Sequence, residues 1–495
     1  MNLLVASLAV LVTLPSIILG GPVRLEVFDV DLVSEKDCYN NSLTLHVASS
    51  SIDRGFVESQ TVKCLNIEHG QITYVTQGAF DEVPNLTYLS LEGNRITPRD
   101  LFSFGGLKSI RTLILSNQVN QYDGKELVIQ GVYPQLRYLD LRNNSINSVR
   151  SLADNPFPVL KHLDLSMNRI VYFDFANLLP STLSHLYLNR NSISRFSGQK
   201  FSNLMVLSLD GNNIDSIGDV YYGLNLTGAR NLKSLSVGSN RIAALSKQAF
   251  KDNVNLQYLN LSSNSLSSLH SDTLESLQMS LQVLVLDGNS FDDIPISTIM
   301  NLTTLSMNCN GMKHLTVNPL LNMPYLKKLY LGGNTITDIN SFAFRFQTRL
   351  EELYLNDNNL TYLQDQWADY MSSLRLLDLS GNRFELLDSL LKSPVAPIRE
   401  IYFDRNPLKY INAAAFKAIP ENATIHLQEN PNRIVGSCRP TTPSVATEWP
   451  STTGTWSPTS GRPWEWDSTS GSPWYSTSRG WWNHYKKMST ENLSS

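Results

Sequence analysis

A recurring spacing constrains this chain more than any other feature. Leu326, Leu329, Leu331, Asn334 and Ile336 are answered twenty-four residues later by Leu350, Leu353, Leu355, Asn358 and Leu360, and then by Leu374, Leu377, Leu379, Asn382 and Phe384. The shared frame is L-x-x-L-x-L-x-x-N-x-L. Its L-x-L centre alternates as a short strand does when one face is buried and the other is free. Apolar residues at frame positions 1, 4, 6 and 11 therefore point inward, and the residues between them point out. One such unit cannot bury its apolar face alone, so units stack and their strands pair into a parallel sheet. The asparagine at position 9 lies where the chain leaves the strand. There its amide can pair with backbone groups of its own turn and of the adjacent one, which burial would otherwise leave unpaired.

Position 9 falls on Gly70, Asn94, Gln118, Asn144, Asn168, Asn191, Asn212, Asn240, Asn264, Asn289, Asn310, Asn334, Asn358, Asn382, Asn406 and Asn430. These positions define coils 1 to 16, fourteen of them with a true Asn. Phe80, Phe201, Phe250, Phe344 and Phe416 each precede the next repeat by a few residues and read as core packing on the far side of the coil, under short helical or irregular turns. The expected fold is an α/β solenoid of about sixteen coils, a horseshoe with a concave parallel β-sheet. The frame resembles the leucine-rich repeat of extracellular proteins such as Toll-like receptor ectodomains and secreted insect leucine-rich immune proteins, over roughly residues 60–431. That resemblance implies a binding scaffold used in adhesion, matrix assembly or pathogen recognition. It also implies a four-cysteine N-terminal cap, of which this chain has two cysteines.

Four segments follow from composition. Residues 1–20 are a short apolar run that suits a secretory signal peptide. Residues 21–61 form an N-terminal cap, in which Ser42–Val47 alternates like a strand covering the open end of the stack. Cys38 and Cys64 flank that strand, and export would allow them to form a disulfide. Residues 62–431 are the solenoid; a long coil before Asn240 suggests an outward loop near Asp219–Gly228. Residues 432–495 are a Ser/Thr/Pro-rich tail holding seven of the eight tryptophans, a composition that cannot build a core. No later stretch is apolar enough to span a bilayer, and the C-terminus lacks the tail of a lipid-anchor signal. These features predict a soluble, extracellular protein.

No phosphate loop, metal-protease helix or nucleophile elbow occurs, so the chain reads as a binding protein rather than an enzyme, with no cofactor. Net charge is −4 without a basic block, which points away from nucleic acid. His162 and His185 share position 3 of adjacent coils beside Asp164, and read as a polar patch rather than a metal pair because a third ligand is missing. Positions 3 and 5 project from the sheet and define the candidate ligand face. Its N-terminal side carries Tyr138, Asp140, His162, Asp164, His185 and Tyr187; its C-terminal side carries Lys328, Tyr330, Glu352, Tyr354, Asp378, Glu400 and Tyr402. Tyrosine among charges suits a protein or glycan partner. Sequons at Asn40, Asn85, Asn143, Asn225, Asn260, Asn301, Asn359 and Asn422 are expected glycan sites, and a glycan on Asn260 would divide the face. Cys309 and Cys438 are five repeats apart, too far along the stack to pair. Cys309 then reads as a small turn residue without a bond, and Cys438 as placed for a disulfide with another chain.

Overall fold

The computed structural model describes residues 38, 41–119, 125–218, 223–295, 299–317, 319–387, 397–411, 419–420 and 422–428. The chain divides into two units, Met1–Pro440 and Thr441–Ser495, and all of the second lies outside the described residues. Outside them too are the signal-peptide segment, the tryptophan-rich tail, Phe416, Asn430 and Cys438.

Seventeen strands form one sheet, and the register of each parallel pair is in step with the repeat. Leu65 faces Leu89, Leu89 faces Leu113, and Leu329 faces Leu353. The first strand, Ser42–Thr44, pairs with Cys64–Asn66 and so closes the N-terminal end, shorter than the Ser42–Val47 expected. The other sixteen strands each carry one coil, ending at Thr424–His426. Cys38 and Cys64 are disulfide-bonded with their Cα atoms 5.6 Å apart, which ties the cap to the first coil.

One continuous apolar core runs from Ile52 to Phe403. Leu329, Leu331, Leu353 and Leu355 are fully buried, as are Phe201, Phe250 and Phe344 on the far side, with Phe80 nearly so. That far side is built from turns and short 3-10 segments such as Pro98–Asp100 and Ser271–Leu277. Short strands there pair as well: Lys125–Ile129 with Ile146–Ser151, and Leu224–Asn225 between Phe196–Ser197 and Ser216–Ile217. The extra length of coil 8 is therefore not simply an outward loop. Asp219–Tyr222 lie outside the described residues, but Leu224, Asn225 and Leu226 are buried.

Position 9 performs the pairing its chemistry allows. The Asn334 amide donates to the carbonyls of Leu331 at 2.9 Å and Met307 at 3.0 Å, in its own coil and the one before. Its Oδ1 accepts from the N–H groups of Asn310 and Met312 at 3.1 and 3.3 Å. Gln118 reproduces the pattern with a longer arm, bonding Leu91, Leu115 and Ile96. The residue just before position 9 has a positive φ in all fifteen described coils, from His69 to Arg405. Left-handed backbone costs an L-residue roughly 1–2 kcal/mol, so the glycines at 93, 211, 288, 333 and 381 ease a turn that Met167, Arg190 and Arg405 make under strain.

Candidate functional site

Neighbouring strands hold side chains at equal frame positions about 4.8 Å apart, close to the stacking distance of flat groups. On the N-terminal side this brings the predicted residues together. The Tyr138 and His162 rings stack with centroids 4.3 Å apart, His162 and His185 stack at 5.6 Å, and Tyr187 lies 5.0 Å from His162. Packed this way they shield one another. His162, His185, Tyr187, Asp140 and Asp164 are buried, which corrects the expectation that they project freely from the sheet. Burial, and for His162 also the His185 charge, pushes the imidazoles down to about 3 for His162 and about 4 for His185, so both are neutral. His185 Nδ1 pairs with the Ser184 hydroxyl at 2.9 Å. Among the described residues no three His, Cys, Asp or Glu side chains gather as a metal site.

The carboxylates of the predicted site have structural duties. Position 7, at the end of each strand, presents a backbone N–H that must find an acceptor. Asp140 Oδ1 accepts it from Arg142 at 2.9 Å, Asp164 from Ser166 at 2.8 Å, Asn260 from Ser262 at 3.0 Å and Asp378 from Ser380 at 3.0 Å. In coils 7, 8, 11 and 12 the acceptor comes from position 7 of the preceding coil. Asn189 serves Asp210, Asp210 serves Gly238, Asp287 serves Asn308 and Asn308 serves Gly332, all within 2.6 to 2.9 Å. This second polar ladder was missed in the sequence, where its only signal is Asp or Asn at position 5 or 7. Burial raises Asp287 to about 7. Burial and then the neighbouring Asp164 raise Asp140 to about 6, against the opposing pull of the Arg142 guanidinium 3.1 Å away.

On the C-terminal side more surface stays open. Tyr330 and Tyr354 stack face to face, centroids 4.5 Å apart and 13° from parallel, and both are half-buried. Lys328 bridges to Glu352 at 2.8 Å, and the Tyr354 hydroxyl donates to Glu352 at 3.2 Å. Tyr402 stacks on His426 at 4.3 Å, and that imidazole pairs with Glu400 at 2.5 Å. Of the C-terminal candidates only Asp378 is fully buried.

The sequons divide by exposure. Asn85, Asn143 and Asn422 are exposed, and Asn301 and Asn359 are half-buried. Asn225 and Asn260 are buried, and the Asn260 amide donates to Ser236 at 2.9 Å. Asn40 lies outside the described residues. Cys309 is disulfide-bonded, which corrects the expectation that distance along the stack leaves it without a bond.

The leucine rich repeat family model matches residues 60–121, 230–291 and 324–384. Mouse podocan is 26% identical over 276 residues, covering 55% of this chain and 40% of podocan. The zebrafish (Danio rerio) transforming growth factor beta activator LRRC33 is 30% identical over 250 residues, covering 48% of this chain and 36% of that protein. The aligned regions thus span well under half of these relatives' length. A solved leucine-rich repeat protein of Leptospira interrogans superposes with a TM-score of 0.54 at 21% identity, covering 74% of this chain and 90% of that one, a likeness of fold. The chain is a leucine-rich repeat solenoid resembling extracellular proteins of that kind.

Proposed function

We propose that this leucine-rich repeat solenoid is a secreted recognition protein that binds a protein or microbial glycan through the sheet face of coils 12 to 15, in an innate immune role. The observation that carries the reading is the contrast between the two halves of the face. All the N-terminal candidates except the half-buried Tyr138 are buried, and the carboxylates among them are tied to backbone amides. By contrast Lys328, Tyr330, Glu352, Tyr354, Glu400 and Tyr402 keep exposed surface. Stacked tyrosines hold large contact area in one geometry, so little side-chain entropy remains to be lost on binding. The salt bridges around them supply a polar rim. Binding of this kind needs no catalytic pocket, cofactor or metal, and the protein is read as no enzyme. Exposed sequons at Asn85, Asn143 and Asn422 support export, and no helix among the described residues is long and apolar enough to cross a membrane.

Capture from body fluid by the full secreted chain tests the reading, with Tyr330→Ala/Tyr354→Ala as the comparison. Loss of the captured partner with an unchanged melting curve is the expected result; undiminished capture refutes this face. The similarity to podocan favours a second reading, an extracellular matrix or adhesion protein. Constant deposition in one tissue, without induction by microbial challenge, would select it.

A further inference from the structure

The start of each strand carries a row of side chains that the candidate face does not use. Frame position 2 is Lys63, Thr87, Arg111, Arg137 and Lys161 in coils 1 to 5, and all but Thr87 are exposed. Backbone bonds join these residues to one another from coil to coil. Thr87 N–H donates to Lys63 at 2.8 Å, Arg111 to Thr87 at 2.7 Å, Arg137 to Arg111 at 2.9 Å and Lys161 to Arg137 at 2.9 Å. The row is thereby fixed as a continuous edge with about 4.8 Å per step, roughly 19 Å along the stack from Lys63 to Lys161. Among the described residues no carboxylate lies within ion-pair distance of Lys63, Arg111 or Arg137. The same position in coils 12 to 15 reads Lys327, Glu351, Arg375 and Arg399, where Lys327 and Glu351 neutralise each other at 3.2 Å.

We propose that this edge binds a slender linear polyanion, a sulfated or carboxylated polysaccharide, laid across coils 1 to 5. Lys63, Arg111 and Arg137, three exposed cations of one sign in this row, have no carboxylate partner among the described residues that explains the pattern. The adjoining face sets the width of the ligand. Asp140, Asp164, Glu68 and Glu92 stand at positions 5 and 7 of these same coils. Up to five residues along the strand is about 16 Å from the row, so a broad duplex would overlap carboxylates that a single chain avoids. Single-stranded nucleic acid binds by stacking successive bases on aromatic side chains. Here Tyr88 and Tyr138 are two rungs apart with Thr112 between them, and one face of Tyr138 is covered by His162. A polysaccharide needs only the charges and nearby hydroxyls.

The test is salt elution of the full secreted chain from immobilised heparin, a sulfated polysaccharide. Arg111→Ser/Arg137→Ser is compared with Arg375→Ser/Arg399→Ser, which removes two exposed arginines from the mixed row. Elution of the first variant at lower salt is expected, with the slope of log affinity against log salt reduced by about 1.4, two contacts at roughly 0.7 each. The second variant should elute with the wild type. Unchanged retention of the first variant overturns the proposal. So does an equal loss in the second, which would make retention a matter of net charge alone. Tighter binding of oligodeoxythymidine than of heparin fragments of equal charge would also overturn it.

Discussion

Replacing Asn334 by alanine isolates the position-9 ladder. The side chain is buried and makes five bonds with coils 11 and 12, the longest to the Gly332 carbonyl at 3.4 Å. Not all five losses are equal, and the Gly332 carbonyl still receives the Cys309 N–H at 2.9 Å. The Leu331 carbonyl still receives the Asn358 amide at 3.0 Å, and the Met307 carbonyl still receives the Asn310 amide at 3.2 Å. The N–H groups of Asn310 and Met312 have no such second partner, so the variant leaves two buried donors unpaired. At about 1–3 kcal/mol for each, the expected cost is about 2–6 kcal/mol, most of it local to coils 11 to 13. A repeat array need not unfold in one step. The assay is therefore hydrogen exchange resolved to coils 11 to 13, alongside urea denaturation. Asn334→Asp sharpens the result, because it keeps the acceptor for both N–H groups and regains a donor when protonated. Its deficit should shrink as pH falls, whereas that of Asn334→Ala should not. A change below about 0.5 kcal/mol with unaltered exchange of Asn310 and Met312 would refute the reasoning.

Asp287 gives a pH test. In the fold burial holds its pKa near 7, against 3.8 for the free side chain. Folding therefore takes up a proton between those values, and this site's contribution to stability falls as pH rises from about 4 to about 7. His162 and His185 act in the opposite sense, losing stability as pH drops below 6.5 because burial keeps them neutral. Asp287→Asn, which keeps the acceptor for Asn308, should make the net pH slope of stability more positive by up to about 1.4 kcal/mol per pH unit; an unchanged slope from pH 4 to 7 in melting experiments rejects the assignment. A second test uses Gly381, whose φ is +66° and whose added methyl would collide with the Asp357 carboxylate that Arg405 grips at 2.5 Å. Gly381→Ala should cost about 1–2 kcal/mol, and Asp357→Ala in the same chain should recover part of it, so strict additivity in a double-mutant cycle would refute the clash.

The solenoid was legible because the period, the inward leucines and the position-9 amide all specify one arrangement, and each recurs. Leu329, Leu353 and Asn334 occupy the places their spacing dictates. The pairing on the far side was not legible. Leu224–Asn225 and Ser216–Ile217 are two-residue strands, set by where successive coils lay their backbones and not by an alternating side-chain pattern. The strained turn before position 9 was hidden for a different reason. Arg190, Met167 and Cys309 adopt the same left-handed backbone as the glycines in their row, so residue type at that place does not reveal it.

The candidate face was legible only in part, and the cause lies in the spacing itself. With rungs about 4.8 Å apart, flat side chains at matching positions on adjacent rungs can touch. An outward residue can then be a ligand group or a shield for its neighbour, and polarity does not separate the two. What separates them is the position-7 N–H. Where that donor can be met only by a side chain, the nearest Asp or Asn is drawn down to it, as Asp140, Asp164 and Asp378 are. In coil 12 Asn308 of the coil before meets the Gly332 N–H, which leaves position 5 free to hold Tyr330. That tyrosine stacks on Tyr354 and keeps part of its surface for a partner. A tyrosine can therefore occupy position 5 where capping is met from the preceding coil, and the search for a ligand on this sheet narrows to those rungs.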